Sequence, residues 1–250
     1  MRFALIIADY KPGAPACANQ AKEWLLKKGQ EVIIGQIDDK TDMVITFGGD
    51  GLILHAANMI TEKGLQIPMI RVNFGTRGYL ANVRPGDIIQ RLKDVLEKNY
   101  VLSRRSRIMA TLRRSGEDGQ LSWDALNDIV IERRTTKAID MVLTIDGQEQ
   151  KRNGDGVIFA TRTGSTAYNK KAFGPVLINE DDFIINLVSA DEEGKPSHFV
   201  KPTDSSITLK VTKNGSRLVV DGKEKIPIKT RDRIFIQKCS MKTIFIEFNQ

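Results

Sequence analysis

Cysteine and histidine are nearly missing from this chain, with two of each in 250 residues. Cys17 and Cys239 lie far apart and form no Cys-x-x-Cys pair, which excludes a disulfide framework and a cysteine-ligated zinc site. His55 and His198 are too few for a multi-histidine metal centre. The apolar runs stop at strand length, well short of the roughly 20 residues a membrane-spanning helix requires. No aromatic-rich or helix-turn-helix pattern accompanies the bases, which are dispersed as Lys27-Lys28, Arg104-Arg105, Arg113-Arg114 and Lys170-Lys171. The formal charge of +7 therefore reads as a solvated surface, with neither nucleic acid nor membrane expected as partner; phosphorylated metabolites stay compatible with it. The opening MRFALIIADYKPG has one Arg before an apolar run, but no small-residue cleavage site, and Asp9 closes the run early. It reads as a first strand, and the protein as cytoplasmic.

What is present is ordinary globular composition, 41% apolar and 28% charged, long enough for one large domain or two modest ones. FALIIA (Phe3–Ala8), EVIIG, MVITF and IPMIRVN are buried-type strands. Between them, helical stripes appear over Ala16–Lys28 (Ala18, Ala21, Trp24, Leu25), Leu52–Lys63 (Leu54, Ala57, Ile60) and Asp87–Lys98 (Ile88, Leu92, Val95, Leu96). This alternation predicts an α/β domain over 1–99, a Rossmann-like doubly wound parallel sheet.

After Tyr100 the period changes to two: RIMATLRR, DIVIER, AIDMVLTID, GVIFAT, SSITLKVTK, SRLVVDG, DRIFIQ and TIFIEF. The turn signals are Gly116-Glu117-Asp118-Gly119, Asp146-Gly147, Asn153-Gly154, Asn214-Gly215 and Asp221-Gly222. Residues 100–250 thus read as an antiparallel β-rich domain, its last strand free to return to the N-terminal one. No Pro/Gly-rich linker separates the halves near Asn99, so the active site is expected in a crevice between them.

The chemistry concentrates in short glycine-rich stretches. MVITF ends in Gly48-Gly49-Asp50-Gly51, and a helical pattern follows at once. Glycines at a strand's end bare the backbone amides, and a helix N-terminus adds partial positive charge, which together suit phosphate. A carboxylate in that place repels phosphate unless it takes a proton from an attacking hydroxyl or helps to hold Mg²⁺. A helix cap is the purely structural alternative for Asp50. The turn is neither GxGxxG nor a Walker A loop, because no Lys-Ser/Thr follows.

The β half carries a second cluster, Asn153-Gly-Asp-Gly-Val-Ile-Phe-Ala-Thr-Arg-Thr-Gly-Ser-Thr-Ala-Tyr168. Asp155 lies between glycines beside a strand, and TRTGSTAY reads as a hydroxyl-rich turn. There Thr161, Thr163, Ser165 and Thr166 offer hydroxyls to a sugar or phosphate, and Tyr168 a ring face to a base. No G-x-S-x-G is present, which argues against a hydrolase. Asn73-Phe-Gly-Thr-Arg-Gly-Tyr-Leu80 follows the fourth strand at its C-terminal edge, where open α/β sheets bind ligands. Leu126-Asn127-Asp128 opens another apolar strand with an amide beside a carboxylate.

In this order, GGDG, NFGTRGYLANV, LNDIVI and NGDGVIFATRTGSTAY…FGP resemble the signature blocks of the NAD kinase family, over roughly residues 1–180. The resemblance implies transfer of the terminal phosphoryl group of ATP, with Mg²⁺, to the adenosine ribose 2′-hydroxyl of NAD, giving NADP. It places Asp50 as the catalytic aspartate, and Gly48, Gly49, Gly51 and Asn73 at phosphate. The NAD-binding set it implies is Gly49, Gly51, Gly78, Tyr79, Asn127, Asp128, Asp155, Thr166, Ala167 and Tyr168; the metal ligands stay unassigned. A homodimer or homotetramer is also implied. The chain departs from the family pattern at Asp128, where Glu is usual, at Arg162 for proline, at Phe173 for glycine, and at Leu52 for a small hydroxyl residue. A GGDG kinase for another alcohol, and a non-catalytic NAD(H)/NADP-binding regulator, are the alternatives. His198 is expected in a surface loop and His55 as a packing residue.

Overall fold

The computed structural model describes residues 1–76, 78–190, 197–202, 204–213 and 215–248. Arg77 of the NFGTRGYL stretch, Asn214 of the Asn214-Gly215 turn signal and residues 191–196 lie outside the described residues. The chain divides into two compact units, Met1–Arg105 with Met241–Gln250, and Ser106–Ser240.

The first unit contains β1 (Arg2–Ile7), β2 (Glu31–Ile34), β3 (Met43–Gly48), β4 (Pro68–Asn73), β5 (Val101–Arg105) and, numbered in chain order, β18 (Thr243–Glu247). Its helices are α1 (Ala14–Lys27), α2 (Asp50–Glu62) and α3 (Ile88–Leu96). The sheet order is β2-β1-β3-β4-β18-β5, parallel throughout except for β5, which runs antiparallel to β18 at the edge. β3 is buried over its whole length, as a central strand covered on both faces must be. Phe3, Leu5, Met43, Ile45, Phe47, Ile70 and Val72 point to one face and form a core with α1 and α3. Ala4, Val44 and Thr46 alternate to the other face, where α2 packs on β1 and β3 through Ile53, Ala56, Ala57 and Ile60. The C-terminal strand is held in the sheet partly by Arg71. Its buried guanidinium lies 3.9 Å from the centre of the Phe245 ring and donates to Glu247 Oε1 at 2.8 Å.

Two helices start earlier than their apolar stripes suggest. α1 begins at Ala14 because Pro15 suits a first turn, after Gly13 at φ +82°. α2 begins at Asp50, so the last two residues of GGDG are already helical and Gly49 takes the cap position in extended backbone.

Among its described residues the second unit has twelve strands in two antiparallel sheets. They are β6 (Ile108–Arg113), β7 (Leu121–Ala125), β8 (Asp128–Arg133), β9 (Ile139–Ile145), β10 (Gln148–Gly154), β11 (Gly156–Thr161), β12 (Asp182–Val188), β13 (His198–Pro202), β14 (Ile207–Lys213), β15 (Ser216–Val220), β16 (Lys223–Ile228) and β17 (Arg233–Lys238). The orders are β10-β9-β14-β17-β6-β7 and β13-β12-β11-β8-β15-β16. Inward residues of both sheets, among them Leu112, Ile131, Leu143, Phe159, Ile185, Leu209, Leu218 and Ile234, form one core. Asp146-Gly147 and Asp221-Gly222 are the two-residue turns of hairpins, with φ of +49° and +81°, and +47° and +74°.

Two local expectations fail. Asn153-Gly154 is no turn: both residues end β10, paired with Asp140 and Ile139. TRTGSTAY is not a simple turn either, because it folds into the short helices α4 (Arg162–Ser165) and α5 (Tyr168–Lys171). Thr161 starts α4 by accepting from the Gly164 amide, an N-cap that a count of hydroxyls does not reveal.

Candidate active site

Asp50 is the first residue of α2, and its carboxylate does not cap that helix. Instead it accepts the backbone amides of Tyr79 (3.2 Å) and Leu80 (3.1 Å), so the 73–80 loop orients it. The same loop is tied to the glycine turn at several points. Gly48 pairs with Asn73 in the sheet, and the Phe74 amide donates to Gly48 O at 2.8 Å. Asn73 Oδ1 accepts the Gly75 amide at 2.8 Å. A Cβ on Gly75 would lie 3.1 Å from Gly49 Cα, so the two backbones meet where no side chain fits. The glycines of the turn are not equivalent. A Cβ on Gly48 would meet Leu52 at 2.6 Å, which makes Gly48 a packing requirement, whereas Gly51 has open space.

In the second unit, Asn127 and Asp128 are fixed by a residue that the sequence offers only as a turn. The Asp221 carboxylate accepts three successive amides, Leu126 at 3.0 Å through Oδ2, and Asn127 at 2.7 Å and Asp128 at 3.2 Å through Oδ1. Burial pushes the Asp221 carboxyl up, while those amides and the Arg107 cation oppose the shift. Asp128 is itself buried; desolvation first, and the Asp221 charge second, push its carboxyl up to about 7. Asn127 Oδ1 is buried with no hydrogen-bond partner among the described residues.

The TRTGSTAY segment packs directly on this loop. The Thr161 hydroxyl donates to Leu126 O, the Thr161 amide donates to Asn127 O, and a Cβ on Gly164 would lie 2.0 Å from Asn127 O. Thr161 and Ser165 are consumed inside the fold, Ser165 Oγ donating to Arg162 O and accepting the Leu177 amide. Thr166, by contrast, is exposed, and Ala167 starts α5. Two buried amides that the sequence does not flag complete the support: Asn169 donates to Ser165 O and Pro175 O, and Asn186 donates to Asn169 Oδ1.

Asp155 and Tyr168 line a cavity of about 220 Å³ together with Val130, Glu132, Arg133, Val188 and Arg217. Two ion pairs frame it, Arg133–Asp155 at 2.9 Å and Arg217–Glu132 at 2.7 Å. Desolvation and the carboxylates of Glu132, Asp128 and Asp155 raise the Tyr168 phenol above its ordinary value. The structure therefore brings together Asn73, Gly78, Tyr79 and the glycine turn around Asp50 in one unit. In the other it brings together Asn127, Asp128, Asp155, Ala167 and Tyr168.

The departures also find places. Arg162 pairs with Glu180 at 2.6 Å. Phe173 is 96% exposed and holds φ +60°, a backbone that glycine adopts without strain. His55 is exposed on α2, not packed, and His198 is exposed at the start of β13. No described helix is long and apolar enough to cross a membrane.

Comparison with known proteins identifies the family. The ATP-NAD kinase N-terminal domain matches residues 15–100, and the ATP-NAD kinase C-terminal domain residues 126–248. An NAD kinase of Syntrophobacter fumaroxidans is 31% identical over 94% of this chain and 88% of its own. Other curated relatives are longer, and the chain spans 66% of one and 40% of another. A yeast NADH kinase complexed with NADH has the same fold, with TM-score 0.90 at 20% identity over 100% of this chain and 84% of that one. An Archaeoglobus fulgidus NAD kinase in complex with ATP gives TM-score 0.79 at 26% identity, over 99% and 94%. With both domains matched and a relative this similar along nearly its whole length, the chain belongs to the ATP-NAD kinase family.

Proposed function

We propose that this chain is an NAD kinase that transfers the terminal phosphoryl group of ATP to the 2′-hydroxyl of the adenosine ribose of NAD. One observation carries the reading: the Asp50 carboxylate leaves its own helix end uncapped and is aimed by the Tyr79 and Leu80 amides beside glycine-bared backbone. An acid fixed in that way is placed to accept a proton. In this reading the ribose 2′-oxygen forms the new bond to the γ-phosphorus, the bond from that phosphorus to the bridging oxygen breaks, and ADP leaves. The hydroxyl proton goes to Asp50. Gly49 and Gly51, with the α2 N-terminus, receive the phosphates, and Asn73 shapes the turn against them.

Asn127 Oδ1, without a hydrogen-bond partner among the described residues, accepts from a ribose hydroxyl, and the Asp128 side chain beside it contacts the same sugar. Asp155, Thr166, Ala167 and Tyr168 line the dinucleotide, with Gly78 and Tyr79 beside the adenine end. The described residues hold no group of three or more His, Cys, Asp or Glu side chains that could ligate an ion by themselves. That donor set fits an Mg²⁺ ion held mainly by ATP phosphates, with Asp50 as a carboxylate in reach of the turn. When bound, Mg²⁺ neutralises phosphate charge. ATP as donor draws support from the relatedness to the Archaeoglobus fulgidus enzyme. Cytoplasmic location and a homo-oligomer belong to the same reading.

The test is purified protein incubated with ATP, Mg²⁺ and NAD, with product read by an NADP-specific dehydrogenase. NADP should form with the native chain and fall by at least a hundredfold in Asp50→Asn, while NAD still raises the melting temperature of that variant. No NADP from the native chain would overturn the reaction, and full turnover in Asp50→Asn would overturn the role of the acid.

A further inference from the structure

Three neighbouring strands of the second unit carry a row of bases that the proposed reaction does not use. Lys210 on β14 stands opposite Arg233 on β17, and Arg233 stands opposite Arg113 on β6. Leu209, Ile234 and Leu112, one position along, face the core, so the basic row faces outward. Like charges directly opposite each other across strands are unfavourable. Arg114 and Arg231 flank the row, and the five bases with Ser115 line a cavity of about 370 Å³. Arg231 is held there at φ +76°, strained backbone for a non-glycine residue.

Of the five bases, Arg114 alone has a carboxylate partner among the described residues. Asp232 is buried, and its oxygens take Arg114 Nη1 (2.8 Å) and the amides of Lys229 (2.9 Å) and Ser115 (3.3 Å). Among the described residues, Arg113, Lys210, Arg231 and Arg233 have no carboxylate partner. The Arg113 guanidinium lies 4.9 Å from the centre of the Phe235 ring, which pre-orders it over the sheet. Repulsion among ordered cations of this kind is relieved by a counter-anion carrying several charges.

We infer that this pocket binds a small polyanion with two or more phosphate groups, at a place distinct from every residue assigned to the transfer reaction. Its volume falls within the small-ligand range. Guanidinium groups on adjacent strands offer paired donors to adjacent phosphates. The bases are gathered in one pocket, whereas a nucleic acid would need an extended basic track with free stacking faces.

Titration of the ¹⁵N-labelled full chain with inorganic tripolyphosphate, followed by amide spectra, tests this locally. Saturable shifts should appear at Ser115, Arg231 and Arg233 at submillimolar concentration, read separately from any at Gly49 and Asp50. The Arg113→Gln/Arg233→Gln variant should weaken the first set at least tenfold with a melting temperature no lower than the native one, and Arg231→Gln should weaken it independently. Shifts that never saturate, native affinity in both variants, or an oligoribonucleotide binding these amides more tightly than tripolyphosphate would overturn the proposal.

Discussion

Asp221 and Asp128 are joined reciprocally. The Asp221 amide donates to Asp128 O at 3.0 Å, and the Asp128 amide donates to Asp221 Oδ1 at 3.2 Å. Two buried carboxyls therefore share one short stretch of backbone, and the one that accepts three amides sets the position of the one that accepts none of them. Asp221→Ala leaves those amides unpaired and should cost roughly 3 kcal/mol or more. Asp221→Asn turns a donor toward the Leu126 or Asn127 amide and should also destabilise. Denaturant unfolding of the variants, with the KM for NAD, checks both effects; a native KM would separate Asp221 from the placement of Asn127.

Asp128 gives a pH signature. Its carboxyl lies near 7 in the folded chain against an ordinary value near 4, so the folded state keeps a proton that the unfolded state has lost. The stabilisation is complete below about pH 4 and is lost as pH rises through 7. Asp128→Asn carries no ionisable group and should gain stability relative to the native chain between pH 4 and 8, on the order of 1–3 kcal/mol by pH 8. Parallel pH–stability curves for the two proteins would contradict this.

Gly78 sits at φ +54°, and a Cβ there would come within 2.4 Å of Asn73 Nδ2. Asn73 cannot swing away without releasing the Gly75 amide. Gly78→Ala should displace the loop that orients Asp50, costing about 1–2 kcal/mol of stability and at least tenfold in kcat. Steady-state kinetics with the melting temperature provide the check.

Gly164→Ala should be more severe. Its Cβ meets the backbone carbonyl of Asn127, which is itself bonded to the Thr161 amide. We expect more than 3 kcal/mol of destabilisation, or loss of NAD binding in whatever folds, read by calorimetry and by thermal shift with NAD.

Phe173 offers the opposite sign. It is exposed, contributes little burial and holds a left-handed backbone, so Phe173→Gly should stabilise by about 0.5–1 kcal/mol once the extra entropy of glycine in the unfolded chain is counted. Urea unfolding of that variant reads the difference directly.

Sequence alone determined the elements whose burial is regular. Strands such as MVITF and AIDMVLTID, and helices with one apolar face, announce themselves because each residue's solvent exposure follows the local period. It also singled out Asp50, Asn73, Asn127, Asp128 and Asp155 as candidates, because glycines and lone polar residues at the ends of apolar runs are chemically conspicuous. Tertiary structure decided the rest. β5, β7, β10, β13 and β16 are sheet edges, where one side meets water and polar residues such as those of QEQKRNG break the alternation. Asp221, Asn169 and Asn186 owe their importance to backbone groups distant in sequence, Asp221 binding amides more than ninety residues away. The basic row of Lys210, Arg233 and Arg113 exists only through strand register. Local order is written in neighbouring residues, but a partner across a sheet is chosen by the packing of the whole unit.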